Sequence, residues 1–109
     1  MTISVSLFIE WIHDVKSRYT MKKAAIIKVF GRVQGVGFRF YTNKKAVELS
    51  IFGFVQNKPD GSVYIEAQGD KTDLQTFIDW VKIGTQWARV NKVEVQFVPP
   101  LDIDSFQMK

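Results

Sequence analysis

Apolar and polar residues alternate along three stretches of the chain, from Ala24 to Phe30, from Ser62 to Gln68 and from Asn91 to Val98. A period of two predicts strands that bury one face and leave the other face polar. A fourth stretch, Ile51 to Asn57, is rich in aromatic and β-branched residues and also predicts a strand.

Two segments between these strands carry apolar residues at helical spacing. The first runs from about Phe38 to Leu49. The second begins where Thr72, followed by Gln75, resembles a capping box, and Gly84 is expected to end it. Its apolar face is formed by Leu74, Phe77, Ile78 and Val81.

Turn residues fix how the strands are joined. Lys58-Pro-Asp-Gly61 predicts a turn that closes an antiparallel hairpin between the second and third strands. We expect Gly69-Asp70 to end the third strand and Pro99-Pro100 to end the last one, with a short tail closing on Phe106. The order β-α-β-β-α-β predicts a ferredoxin-like α+β sandwich, a four-stranded antiparallel sheet with two helices on one face. This fold alone does not decide function.

The first twenty residues differ from the rest. Phe8, Trp11, Ile12 and Val15 have the spacing of one apolar helix face. No basic segment precedes them and Glu10 interrupts the apolar run, which argues against a secretory signal and a membrane span. We therefore predict an N-terminal extension at 1–20, helical or loosely ordered, before a single domain at 21–109, in a cytoplasmic protein that does not associate with membranes.

Composition narrows the chemistry. The chain of 109 residues has no cysteine and one histidine, His13, and we see no cluster of carboxylates. Thiolate catalysis is excluded, and we expect neither a metal site nor a cofactor. The formal charge of +4 suits an anionic partner without separating a small phosphate from a nucleic acid.

The richest local signal is Gly31-Arg-Val-Gln-Gly-Val-Gly-Phe-Arg39. Three glycines between a predicted strand and a predicted helix allow several N–H groups to converge at the helix N-terminus, which favours an anion. Arg39 adds a guanidinium fork suited to phosphate or carboxylate oxygens. Neither a Walker loop nor a dinucleotide fingerprint fits this stretch, which argues against nucleotide binding. The alternative to an anion site is a tight strand-to-helix turn that is glycine-rich for structural reasons alone.

A second polar candidate is Asn57, at the end of Gly53-Phe-Val-Gln-Asn57. Its amide could orient a water molecule, although an asparagine before Lys-Pro-Asp-Gly is also a common turn residue. The aromatic residues Phe40, Tyr41, Phe52 and Phe54 could contact a ligand, but packing is the expected role of each.

Together, the loop ending at Arg39, the segment ending at Asn57 and the following Asp60-Gly-Ser-Val63 closely resemble the signature stretches of the acylphosphatase family. The resemblance covers about residues 24–107. It implies a metal-independent hydrolase of the carboxyl–phosphate bond of acyl phosphates. Arg39 and the loop amides of Gln34, Gly35, Val36, Gly37 and Phe38 would bind the phosphate, and Asn57 would position the attacking water.

Three other interpretations stay open beside this one. An RNA-recognition domain has the same element order, but it binds bases through aromatic residues on its first and third strands. Here the predicted third strand offers one outward aromatic residue, Tyr64, beside the acidic Glu66. A second is the acylphosphatase-like domain of larger carbamoyltransferases, although a stand-alone hydrolase is expected because the sequence ends at Lys109. A third is a phosphate-binding regulator without turnover. We expect a monomer that binds a small acyl phosphate and inorganic phosphate and no nucleic acid; the physiological acyl phosphate stays undetermined.

Overall fold

The computed structural model describes residues 21–109, so the predicted extension at 1–20 lies outside the described residues. Seven elements follow one another along this part of the chain. They are β1 (Lys22–Arg32), α1 (Phe38–Glu48), β2 (Phe52–Asn57), β3 (Val63–Asp70), α2 (Lys71–Ile83), β4 (Arg89–Val98) and β5 (Phe106–Met108).

The prediction of four antiparallel strands is wrong, because the sheet has five strands and is mixed. Its order is β4-β1-β3-β2-β5, and β5 runs parallel to β2 while every other pairing is antiparallel. The free edge of β2 carries unpaired main-chain groups that a further strand can satisfy. Gly53 N donates to Ser105 O at 2.8 Å, and Lys109 N donates to Val55 O at 2.8 Å.

The chain crosses from the β4 edge to the β5 edge through residues 99–105, and Gln68 holds this crossing. Its side-chain Nε2 donates to Leu101 O, and Leu101 N donates to Gln68 Oε1 at 2.6 Å. The period of two along β3 predicts that Gln68 faces solvent, opposite the core, but the crossing segment covers this side chain and leaves it buried. A polar side chain can be buried at low cost here because its donor and its acceptor are both satisfied.

The core lies between the sheet and the two helices. The alternating residues Ala25, Ile27 and Val29 of β1 are fully buried, as their period of two predicts. Helix α1 contacts β2 and β5, whereas α2 contacts β1, β3 and β4. Phe38 of α1 and Trp80 of α2 stack with ring centroids 6.2 Å apart.

Two predicted boundaries of α2 and β3 have to be corrected. The third strand continues through Gly69 to Asp70, and Asp70 itself caps the helix by accepting from Thr72 N at 3.2 Å. The capping box read from Thr72 and Gln75 is therefore wrong, because the acceptor lies two residues earlier. Gly84 does end the helix, with a positive φ of 75°. The period of two along β4 predicts that Phe97 faces inward with Val93 and Val95, but Phe97 is 58% exposed near the end of this edge strand.

Candidate active site

The glycine loop occupies residues 33–37, between β1 and α1. Gly35 and Gly37 have φ values of 74° and 77°, a left-handed conformation that side chains other than glycine seldom adopt. Gly37 is also the N-cap of α1, and no side chain caps the helix there. The loop therefore turns directly into the first turn of the helix without using any of its donors for a side-chain cap.

The main-chain donors of this turn have no partner within residues 21–109. The first hydrogen bond of α1 is from Tyr41 N to Gly37 O at 3.1 Å, and no main-chain N–H of residues 34–40 donates to another described residue. Such groups carry the positive end of the helix dipole. The arrangement thus offers a concave set of N–H donors with the electrostatic character that an anion requires.

One pocket, with a volume of about 230 Å³, lies at this loop. It brings together five of the predicted site residues, which come from the loop, from the start of α1 and from the end of β2. Its described lining consists of Val33, Gly35, Gly37, Phe38, Arg39, Phe40, Asn57 and Met108. Two stretches separated in sequence by almost twenty residues therefore meet at one cavity.

Arg39 enters the pocket from the first turn of α1. Its Nη1 donates to the main-chain oxygen of Lys109 at 2.5 Å, so the residue after β5 holds one edge of the guanidinium. The remaining donors of the planar fork are available to a ligand. A long, flexible side chain loses less entropy on binding when one of its edges is already fixed.

Asn57 lines the same pocket from the end of β2. Its side-chain oxygen Oδ1 is buried and has no hydrogen-bond partner among the described residues. A buried acceptor without a partner costs free energy, so it is uncommon unless a water or a ligand satisfies it. Asn57 is the polar residue that β2 contributes to the pocket lining.

Two of the predicted site residues do not line the pocket with their side chains. Gln34 is turned toward the hairpin, where its Nε2 donates to Lys58 O at 2.7 Å and to Ser62 O at 2.8 Å. Val36 is partly buried and packs against the core. Both residues belong to the loop, so only their main-chain N–H groups are candidates for binding an anion.

The turn after Asn57 is held by its own hydrogen bonds. Asp60 accepts from Ser62 Oγ at 2.5 Å and from Ser62 N at 2.9 Å, and these bonds lower the pKa of the Asp60 carboxyl below its ordinary value of 3.8. Lys58 N donates to Ser62 O at 2.9 Å, and Gly61 has a φ of 92°. The predicted hairpin is confirmed, and it fixes where β2 ends.

The Gln34 side chain connects the glycine loop to this hairpin, which leads to a first prediction. Gln34→Ala should lower the free energy of unfolding by about 1–2 kcal/mol, because two hydrogen bonds are lost while both carbonyls keep a main-chain partner. Inhibition by inorganic phosphate should not change, since the main-chain donors stay in place. Urea denaturation checks the first effect, and the exposed Gln96→Ala is the matched control. A loss of phosphate affinity at unchanged stability would contradict this assignment.

Sequence reasoning missed two lining residues, Val33 and Met108. Phe40 is a possible ligand contact by sequence, with packing as its expected role, and it is 56% exposed at the pocket. Met108 lies on β5, the strand that the sequence pattern did not predict. Four basic residues near the site in sequence are not part of the described lining: Arg32, Lys44, Lys45 and Lys58.

The described region also bears on other kinds of site. Within residues 21–109, no three His, Cys, Asp or Glu side chains are grouped so that they could hold a metal ion. Neither α1 nor α2 combines the length and the apolar character that a membrane crossing needs.

The fold and the pocket together define a small α+β sandwich with a glycine loop of unpaired main-chain donors at the start of its first helix. The family profile described as Acylphosphatase matches residues 25–108. The chain belongs to the acylphosphatase family, which confirms the resemblance inferred from the two motifs.

Relatives and solved structures agree with this membership. The acylphosphatase of Thermotoga maritima is 42% identical over 87 residues, which cover 80% of this chain and 97% of that protein. The crystal structure of the Bacillus subtilis acylphosphatase superposes with a TM-score of 0.75 at 37% identity, covering 82% of this chain and 99% of that one. The Coxiella burnetii acylphosphatase structure gives a TM-score of 0.78 at 31% identity, covering 81% and 93%.

Proposed function

We propose that this protein hydrolyses the carboxyl–phosphate anhydride bond of acyl phosphates, releasing a carboxylate and inorganic phosphate. The observation that carries the proposal is the single pocket shared by the glycine loop, Arg39 and Asn57. The N–H groups of residues 34–38 and the Arg39 guanidinium bind the phosphoryl oxygens. Asn57 holds the attacking water on the other side of the phosphorus atom.

In the proposed reaction, the water oxygen forms a bond to phosphorus while the bond from phosphorus to the carboxylate oxygen breaks. The carboxylate leaves with the electron pair of that bond, and the protons of the water pass to the phosphate and to solvent. Because the conjugate acid of a carboxylate has a pKa of about 4, the leaving group needs no general acid. The tasks that remain are charge stabilisation and in-line positioning of the water.

These two tasks, charge stabilisation and positioning of the water, account for the polar residue types in the pocket. Arg39 and Asn57 are its only polar side chains within the described lining, and neither an arginine nor an asparagine is among the residue types that usually serve as a general base. The bound phosphoryl group itself is therefore proposed as the acceptor of the water proton. A pH–rate profile with an essential protein base near neutrality would contradict this step.

The proposal predicts hydrolysis of benzoyl phosphate by the full chain, with equal amounts of benzoate and phosphate formed. Inorganic phosphate should inhibit competitively, because it is the product that the loop retains. A chelator should leave the rate unchanged, since none of the proposed steps uses a metal ion. Phosphate binding without turnover would indicate a regulator instead, and activity that is lost with a chelator and restored by a metal would overturn the mechanism.

A further inference from the structure

Two large apolar side chains are exposed at the same pocket. Phe40 is 56% exposed and Met108 is 50% exposed, and both line the cavity that holds Arg39 and Asn57. Single exposed apolar residues are ordinary on a protein surface. Two of them beside a polar anion site have the arrangement of a ligand pocket with a polar end and an apolar end.

Both residues lie on elements that the fold pairs or packs. Phe40 follows Arg39 in the first turn of α1, and its ring lies edge-on to the Tyr41 ring with centroids 5.3 Å apart. Met108 lies opposite Val55 in the β2–β5 register, and the next residue closes the pairing through the bond from its N–H to Val55 O. Both residues therefore lie on regular secondary structure, Phe40 on α1 and Met108 on β5.

We propose that Phe40 and Met108 contact the acyl group, and that the protein selects acyl phosphates whose acyl group is apolar over acetyl or carbamoyl phosphate. This inference rests on the proposed function. With the phosphoryl group at the loop, the acyl group must extend along the remaining wall. Among the described residues, the only polar side chains that line the pocket are Arg39 and Asn57, which are proposed to bind the phosphate and to position the water. A polar acyl group would lose hydrogen bonds to water there, whereas an apolar one gains contact area.

A homologous series of substrates tests the selection directly. Acetyl, butyryl and hexanoyl phosphate have leaving groups of nearly equal acidity, so their intrinsic reactivities are matched. We expect kcat/KM to rise by about two- to fourfold per added methylene until the wall is covered. The inhibition constant of inorganic phosphate, which has no acyl group, gives the contribution of the anion site alone.

Substitutions in the wall should remove this dependence on chain length. Phe40→Ala should lower kcat/KM for hexanoyl phosphate by about five- to twentyfold, mainly through KM, and change the value for acetyl phosphate by less than about twofold. Met108→Ala should act in the same direction, and Phe40→Leu should restore most of the effect. Phe97→Ala is the matched control, because Phe97 is 58% exposed and does not line this pocket.

The possible results separate the two proposals. If the wild type hydrolyses no acyl phosphate, the proposed function fails. If it hydrolyses all three equally well, or if Phe40→Ala slows all three by the same factor with an unchanged phosphate inhibition constant, the proposed function stands and the acyl wall is wrong. A circular dichroism spectrum of each variant, together with its phosphate inhibition constant, identifies any change that comes from misfolding.

Discussion

Replacing Arg39 by alanine is expected to reduce the turnover of benzoyl phosphate by about 10³-fold or more. The guanidinium is the only cationic side chain in the described pocket lining, so its loss leaves the developing charge on the phosphoryl oxygens to the loop amides alone. Inhibition by inorganic phosphate should weaken by about 10- to 100-fold, because charged hydrogen bonds to the ground-state anion are lost as well. Steady-state kinetics with phosphate as an inhibitor measure both effects.

The geometry of the guanidinium can be tested apart from its charge. Arg39→Lys keeps a cation but loses the planar fork that binds two oxygens at once, so its activity should fall between those of the wild type and Arg39→Ala. Arg32→Ala is the matched control, since Arg32 is exposed and does not line the pocket. If Arg39→Ala retained the phosphate inhibition constant of the wild type, Arg39 would not be a phosphate ligand.

The bond from Arg39 to the Lys109 main chain explains why this side chain is well placed. Without it, a long side chain near the start of a helix would sample many rotamers and bind a phosphate at a larger entropic cost. The same short segment also provides Met108, so β5 and the residue that follows it contribute both to the position of Arg39 and to the lining of the pocket. A strand of three residues thus has more influence on the candidate site than its length would suggest.

The sequence was sufficient for most of the fold because local pattern and tertiary structure agree there. The alternation in β1 and β3 and the Pro-Asp-Gly turn each determine local structure through side-chain direction or backbone conformation. The fifth strand was not predicted because residues 106–108 are too few to establish a period, and their pairing depends on the unpaired edge of β2. The cap of α2 was misplaced because Asp70 is both the last strand residue and the helix cap.

In the candidate site, too, the sequence predicted the local features and missed those that depend on tertiary structure. Glycines at positive φ and an arginine at a helix start are local features, and the sequence indicates them directly. The placement of Phe40 and Met108 is not local, since it follows from α1 facing a strand that begins more than fifty residues later. The side-chain role of Gln34 was hidden for the same reason, because its partners lie in the hairpin.

Replacing Asn57 by alanine is expected to lower kcat by about 10²- to 10³-fold while phosphate inhibition changes by less than about threefold. The distinction arises because the amide is proposed to act on the water and not on the bound anion. Asn43→Ala, on the partly exposed side of α1, is the matched control. Equal losses of turnover and of phosphate affinity would contradict the assigned role.

Stability distinguishes this role from that of an ordinary turn residue. If Asn57 served only to form the hairpin, its replacement would lower the free energy of unfolding and spare kcat. The buried Oδ1 makes no hydrogen bond within the described residues, so the side chain stabilises the fold little through that atom. We therefore expect Asn57→Ala to unfold at a urea concentration equal to or above that of the wild type. Residues that are selected for chemistry often carry such a cost in stability, and here the cost belongs to a residue that is proposed to position the attacking water.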